Sequence, residues 1–132
     1  MHGCEMSSRD TWLLVGFGLL FWIAGTLMYR VRGPVVFEST NARYWTAFVV
    51  TPILATLICV GVLLWMHVPK ANWAMAGLLI SIPGMFGEAL ILSQFATMMP
   101  RMHVATGGRY GALLFASYGV FLAVTEVVAM RA

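Results

Sequence analysis

Glu88 is the residue that asks for a chemical explanation. It stands inside an uncharged run from Asn72 to Met99, and no Lys, Arg or His lies within that run or any of the chain's three other apolar runs. An acid at the centre of a membrane helix costs ~2.5–3.5 kcal/mol on insertion scales, so such residues face the protein interior and are kept for a reason. With no counter-ion at its depth, the carboxyl must be neutral, paired with a cation brought by a ligand, or hydrated in a cavity. Matching depth along the other runs brings Trp22, Thr51, Ser117 and Tyr118 to its level. Three of these offer a hydroxyl and one an indole N–H, all able to hydrogen-bond a carboxyl group. Two chemistries follow: a proton or cation site, or a neutral carboxyl that only ties helices together.

Other chemistry-bearing residues point to less. Glu126 lies within about a turn and a half of the end of its run, where it can reach the interface or pair with Arg131. His67 and His103 fall at opposite ends of the expected bundle and cannot share a metal, and His2 with Cys4 forms at best a weak site in the N-terminal tail. Met98-Met99-Pro100-Arg101-Met102 offers soft thioethers, yet methionine is also ordinary apolar filler. Cys4 and Cys59 make no paired framework. No metal site or cofactor is expected. No phosphate loop, nucleophile–base pair or dinucleotide fingerprint is present, which leaves an enzyme conceivable only as an intramembrane one built around Glu88.

The elements that must position Glu88 are read from composition. Of 132 residues, 61% are hydrophobic and 10% charged, against roughly 45–50% and about 25% in soluble domains. A chain this short cannot hide so much apolar surface from water. The expectation is an all-α integral membrane protein: one domain, 1–132, a four-helix bundle with spans at about 11–29, 44–66, 72–99 and 110–130. The start does not read as a cleavable signal, so the first run is expected to stay as a helix. Trp12, Tyr29, Tyr44, Trp45, Trp65, Trp73 and Tyr110 fall where an aromatic belt would lie. Val35-Val36-Phe37, in the longest loop, is placed at the interface. The short link between the second and third runs implies antiparallel neighbours. Pro83-Gly84 predicts a kink or hinge in the third helix, because proline removes a donor and crowds the carbonyl of Leu79.

Small residues mark the faces on which membrane helices meet. Gly77, Ser81, Gly84 and Glu88 form such a stripe in the third run, and Ala112, Ala116, Gly119, Ala123 and Glu126 form another in the fourth. Pro52, Ala55 and Cys59 make a shorter one, and Gly18 and Gly25 are a heptad apart. Both acids continue these seams and are expected to point into the protein. The seams outnumber what one bundle needs, which implies a homo-oligomer or another membrane subunit as partner. The formal charge of +3 is spread over loops without a cluster. It implies contact with membrane lipids and no nucleic acid.

The block Pro83-Gly84-Met85-Phe86-Gly87-Glu88-Ala89-Leu90, with Phe95, Pro100 and Tyr110-Gly111-Ala112-Leu113-Leu114, resembles an uncharacterised family of small bacterial membrane proteins of about this length with four helices. Gly25-Thr26-Leu27-Met28-Tyr29-Arg30 and Gly33 carry the same resemblance. In that family an acid, more often Asp, follows the Pro-Gly-Met motif. The later loop usually reads Phe-Pro-Asn, where this chain has Met99-Pro100-Arg101. The resemblance implies a multi-pass protein of the bacterial inner membrane and no particular activity. The residues themselves favour binding or moving a small amphipathic or cationic ligand, or protons, around Glu88; the alternatives are a non-catalytic accessory subunit and an intramembrane enzyme.

Arg30, Arg32, Arg43, Arg101 and Arg109 fall on one side and Arg9, Lys70 and Arg131 on the other, so the positive-inside rule puts both termini outside. Cysteine-accessibility labelling should place residues 33–42 and 101–108 on one face and residue 70 on the other. Labelling of residues 70 and 105 from the same side of a uniformly oriented sample would refute four spans. Labelling of each from both sides would mean dual insertion.

Overall fold

The computed structural model describes residues 7–132; the expectations for His2, Cys4 and the N-terminus lie outside the described residues. Four long helices carry the chain: α1 (Ser8–Gly33), α2 (Asn41–Trp65), α3 (Trp73–Ser93) and, after the short α4 (Phe95–Met98), α5 (Gly107–Arg131). All four long helices have the length and apolarity to cross a membrane, and the fold is an all-α membrane helical bundle.

Local chemistry sets the helix ends. The Ser7 hydroxyl accepts the Asp10 N–H at 3.1 Å and starts α1, and Thr40 accepts the Arg43 N–H in the same way at 3.1 Å to start α2, each satisfying a donor that the first turn leaves free. α1 continues past Gly33 into a π-helical turn, Pro34–Glu38. α2 stops where His67 takes a left-handed conformation, φ 57°. There the Val68 N–H donates to Leu63 and the His67 N–H to Leu64, a Schellman closure that usually uses glycine. The Trp73 indole then donates to the Val68 carbonyl at 3.0 Å, tying the start of α3 to this turn.

The packing order differs from the chain order. α1 lies on α3, α3 on α5 and α5 on α2, while α2 makes little approach to either α1 or α3. The expectation that α2 and α3 pack as neighbours is therefore overturned. A short connection brings two helix ends together, but here the 3-10 turn Lys70–Asn72 packs against α5, which separates the two helices. The row is left open between α1 and α2.

Two buried clusters close the row at its ends. At the arginine-rich end, Tyr29, Phe37, Tyr44, Phe95 and Tyr110 pack with Ile91, Met99, Met102 and Leu113, with Tyr110 edge-on to Tyr29 at 5.7 Å between ring centres. Loop polar groups lock this cluster. Glu38 accepts the His103 N–H at 2.7 Å and the Thr106 hydroxyl. Arg109 donates to the Phe37 carbonyl and to Asn41 and lies 4.7 Å over the Tyr44 ring. At the other end Leu14, Cys59, Leu63, Val68, Trp73, Ala76, Ile80 and Phe121 form the second cluster.

Several local expectations are corrected by this arrangement. Trp12, Trp45 and Trp65 are exposed as an aromatic belt requires, but Tyr29, Tyr44, Trp73 and Tyr110 are buried in the two clusters. Phe37 is core, not interfacial. α3 stays helical through Pro83, and the third span, expected to reach Met99, is interrupted at Gln94, φ −123° and ψ 39°. The stripe of α3 is buried throughout, whereas Ala112, Gly119, Ala123 and Glu126 of α5 are exposed and Ala116 only half-buried. α5 turns Tyr110, Leu113, Phe121 and Thr125 inward instead, because burying these larger side chains fills the volume between α2 and α3 that an alanine stripe would leave empty.

Gly18 and Gly25 also part company. A Cβ at Gly18 would run into the backbone of Ile80, so this glycine is what lets α1 reach α3, while a Cβ at Gly25 meets nothing within 4 Å. Gly18→Leu should cost at least about 1–3 kcal/mol, the usual penalty of overpacking, and Gly25→Leu less than about 0.5 kcal/mol. Thermal unfolding in one detergent reads the difference; equal effects would refute the assigned α1–α3 contact.

Candidate functional site

Glu88 is 7% exposed, on the face of α3 that looks toward α1 and α5. It lies five residues before the end of α3 at Ser93. Its partner Trp22 stands near the middle of α1. The Trp22 indole N–H donates to Oε1 at 2.6 Å. Oε2 is buried with no partner, as are the Tyr110 hydroxyl and the Thr26 hydroxyl. Tyr110 stands next to both Glu88 and Thr26, yet makes a well-formed hydrogen bond to neither.

Glycines in α3 create the space for this meeting. A Cβ at Gly87 would enter the Trp22 ring, and one at Gly84 would strike the Tyr118 hydroxyl and come within 3.4 Å of the Trp22 Cβ. The glycine of the Pro83-Gly84 pair thus serves close approach. Further along α3, Gly77 accommodates Thr125 of α5.

Beside Glu88 the open row leaves a cavity of about 500 Å³, within the range of small-molecule sites. Trp22, Thr26 and Tyr29 of α1, Thr51 and Cys59 of α2, and Tyr110, Ser117, Tyr118 and Phe121 of α5 contribute to its wall. Among the described residues, no Lys, Arg or His lines it. A second hollow of about 100 Å³ reaches Glu88 from between α3 and α5, past Met85, Leu92, Gly111 and Phe115. Glu88 therefore contributes to the walls of both spaces.

All four side chains matched to Glu88 by depth line the main cavity. Only Trp22 bonds to the acid. Ser117 donates to the carbonyl of Leu113 in its own helix at 2.9 Å, and Thr51 and Tyr118 stand on the wall without a hydrogen bond to it. Tyr110 and Thr26 went unrecognised in the sequence. Tyr110 reads as an interfacial aromatic at the head of its helix. Thr26 carried a signal, since it follows Trp22 by four residues and shares its face. Glu126 is exposed and takes no part. Among the described residues, no group of three or more His, Cys, Asp or Glu side chains is placed to hold a metal.

Four apolar helices around a buried carboxyl at a cavity wall define a polytopic membrane protein with an intramembrane polar site. The chain belongs to the family of unknown function DUF5367, whose model matches residues 36–132. The match takes in the Pro83-to-Leu90 block, Phe95, Pro100 and Tyr110 to Leu114; the Gly25-to-Gly33 segment lies before it. No curated protein and no solved structure matches the chain.

Trp22→Phe removes the indole donor, leaving both carboxyl oxygens without a formed hydrogen bond, and also the outer ring atoms that pack on Gly87. The hydrogen-bond part of the loss is expected to be about 1–3 kcal/mol, the cost of an unsatisfied buried polar group. That part should vanish in the Glu88→Leu background, where no carboxyl remains, and only the packing loss should stay. A double-mutant cycle on thermal unfolding measures this coupling, and additive effects would refute the Trp22–Glu88 bond.

Proposed function

We propose that the Glu88 cavity binds a small amphipathic molecule with a cationic head, and that the protein works as a binding or transport protein for such ligands. The supporting observation is Glu88 itself, a buried carboxyl whose Oε2 has no formed hydrogen bond, on the wall of a cavity that no basic side chain of the described residues lines. A ligand cation would supply the missing counter-charge, and the aromatic faces of Trp22, Tyr29 and Tyr118 would favour it further through their ring quadrupoles. A proton is the smallest occupant of the same oxygen and competes with the cation for it. The proposed setting is the bacterial cytoplasmic membrane, with the arginine-rich loops inside.

A second reading, an accessory subunit docked on a larger assembly or on another copy, draws on a different face. Ala112, Gly119 and Ala123 are exposed along α5, and small residues there would let a partner helix approach closely. The two readings use opposite sides of the bundle.

Binding of tetraphenylphosphonium to purified protein between pH 5 and 9 tests the first. Wild-type affinity should fall toward pH 5 as protons take the carboxylate. Glu88→Gln should keep the fold, weaken binding at pH 8 about tenfold or more, equivalent to about 1.4 kcal/mol, and flatten the pH profile. Glu88→Asp should keep part of the affinity. Identical affinity and pH profile in wild type and Glu88→Gln would overturn the proposal.

A further inference from the structure

The two ends of the cavity and its side differ in kind. Toward the arginine-rich end it is capped by the Tyr29, Phe37, Tyr44, Phe95 and Tyr110 cluster, in which Phe37 and Tyr110 are almost wholly buried. The loops over that cap are fastened by Glu38 to His103 and Thr106 and by Arg109 to Phe37 and Asn41. Toward the other end, Leu14, Cys59, Leu63, Ile80 and Phe121 form the second plug. Between the two ends the side facing α1 and α2 has no such closure, since these helices make little approach to each other. Ala24 and Met28 on one helix and Leu54 and Ile58 on the other line the cavity and are also exposed on the outer surface. These are rim residues, and each is uncharged and apolar.

We infer that the Glu88 site is loaded sideways from the bilayer through the α1–α2 mouth, and that its ligands are membrane-dissolved amphiphiles with an amine or onium head. The head lodges at the Glu88 carboxyl while the alkyl or aryl remainder lies in the mouth between Ala24, Met28, Leu54 and Ile58. An apolar rim carries no penalty for a lipid-dissolved tail, whereas a strongly hydrated ion would have to shed its water to pass it. The two plugs would have to open for the same ion to come from either aqueous side. This inference rests on the binding reading above for its ligand, but the route itself can be tested without one.

Nitroxide labels at Gly25→Cys on one wall and Ala55→Cys on the other, each in a Cys4→Ser/Cys59→Ala background, report what fills the space. A Cβ at Gly25 has free room, so at least one label site leaves the packing undisturbed. In reconstituted vesicles both labels should relax strongly with oxygen, which concentrates in the bilayer, and weakly with a water-soluble nickel chelate. Strong relaxation by the chelate with little by oxygen would overturn the lateral route. Tetraphenylphosphonium should displace oxygen from the labels, and choline, confined to water, should not. Choline acting as well as tetraphenylphosphonium would also overturn it. Oxygen access without any effect of either cation would uphold the opening and refute the cationic-ligand reading.

Discussion

A carboxyl group taken out of water has to be satisfied by whatever the protein can bring to it, and the architecture around Glu88 is organised by that demand. Desolvation of an acid without a counter-charge costs more than any single apolar contact returns. Here the response is a single charge-assisted or neutral hydrogen bond, from the Trp22 indole, on one oxygen only. That bond brings a tryptophan ring hard against the backbone of α3, which Gly87 permits. Gly18 does the same for the α1–α3 contact further along. The α1–α3 pair is therefore held by backbone proximity, the form of attraction that remains when lipid abolishes the hydrophobic driving force between helices.

The remaining oxygen gives the site its asymmetry. A helix pair needing only polar glue would use both oxygens in a dry seam, as a fully satisfied buried network does. Glu88 instead lines a void while one buried oxygen has no formed hydrogen bond, and the Thr26 and Tyr110 hydroxyls close by are likewise without one. The void exists because α5 sits between α2 and α3 and leaves α1 and α2 apart. Polar dissatisfaction and open volume thus arise from one feature of the packing order.

The aromatic residues divide into two populations for a related reason. Trp12, Trp45 and Trp65 face outward, where an amphipathic ring suits the head-group region. Tyr29, Tyr44 and Tyr110 turn inward and fill the end of the row that the missing α1–α2 contact would otherwise leave open. Offset and edge-on ring pairs, such as Tyr29 with Tyr110, make a plug that is apolar yet directional. The loop ties through Glu38 and Arg109 hold it in place at the water boundary.

Composition and periodicity alone determined the medium, the number of helices and the singular character of Glu88. Uninterrupted apolar length and the insertion cost of an acid are properties of the chain, independent of how helices arrange. Trp22 was legible too, because depth along antiparallel spans can be counted. The neighbour order was not, since a short loop joins helix ends but does not say which helix lies between them. Nor was the inward turn of Tyr110, whose position near a helix end suits an interfacial ring equally well. The outward face of Ala112, Gly119 and Ala123 was hidden for the same reason: a small-residue stripe signals a possible contact, and only the tertiary packing decided that α5 would bury Tyr110, Leu113, Phe121 and Thr125 instead. The cavity itself is a product of that choice, for it is the volume left between two helices that make little approach to each other.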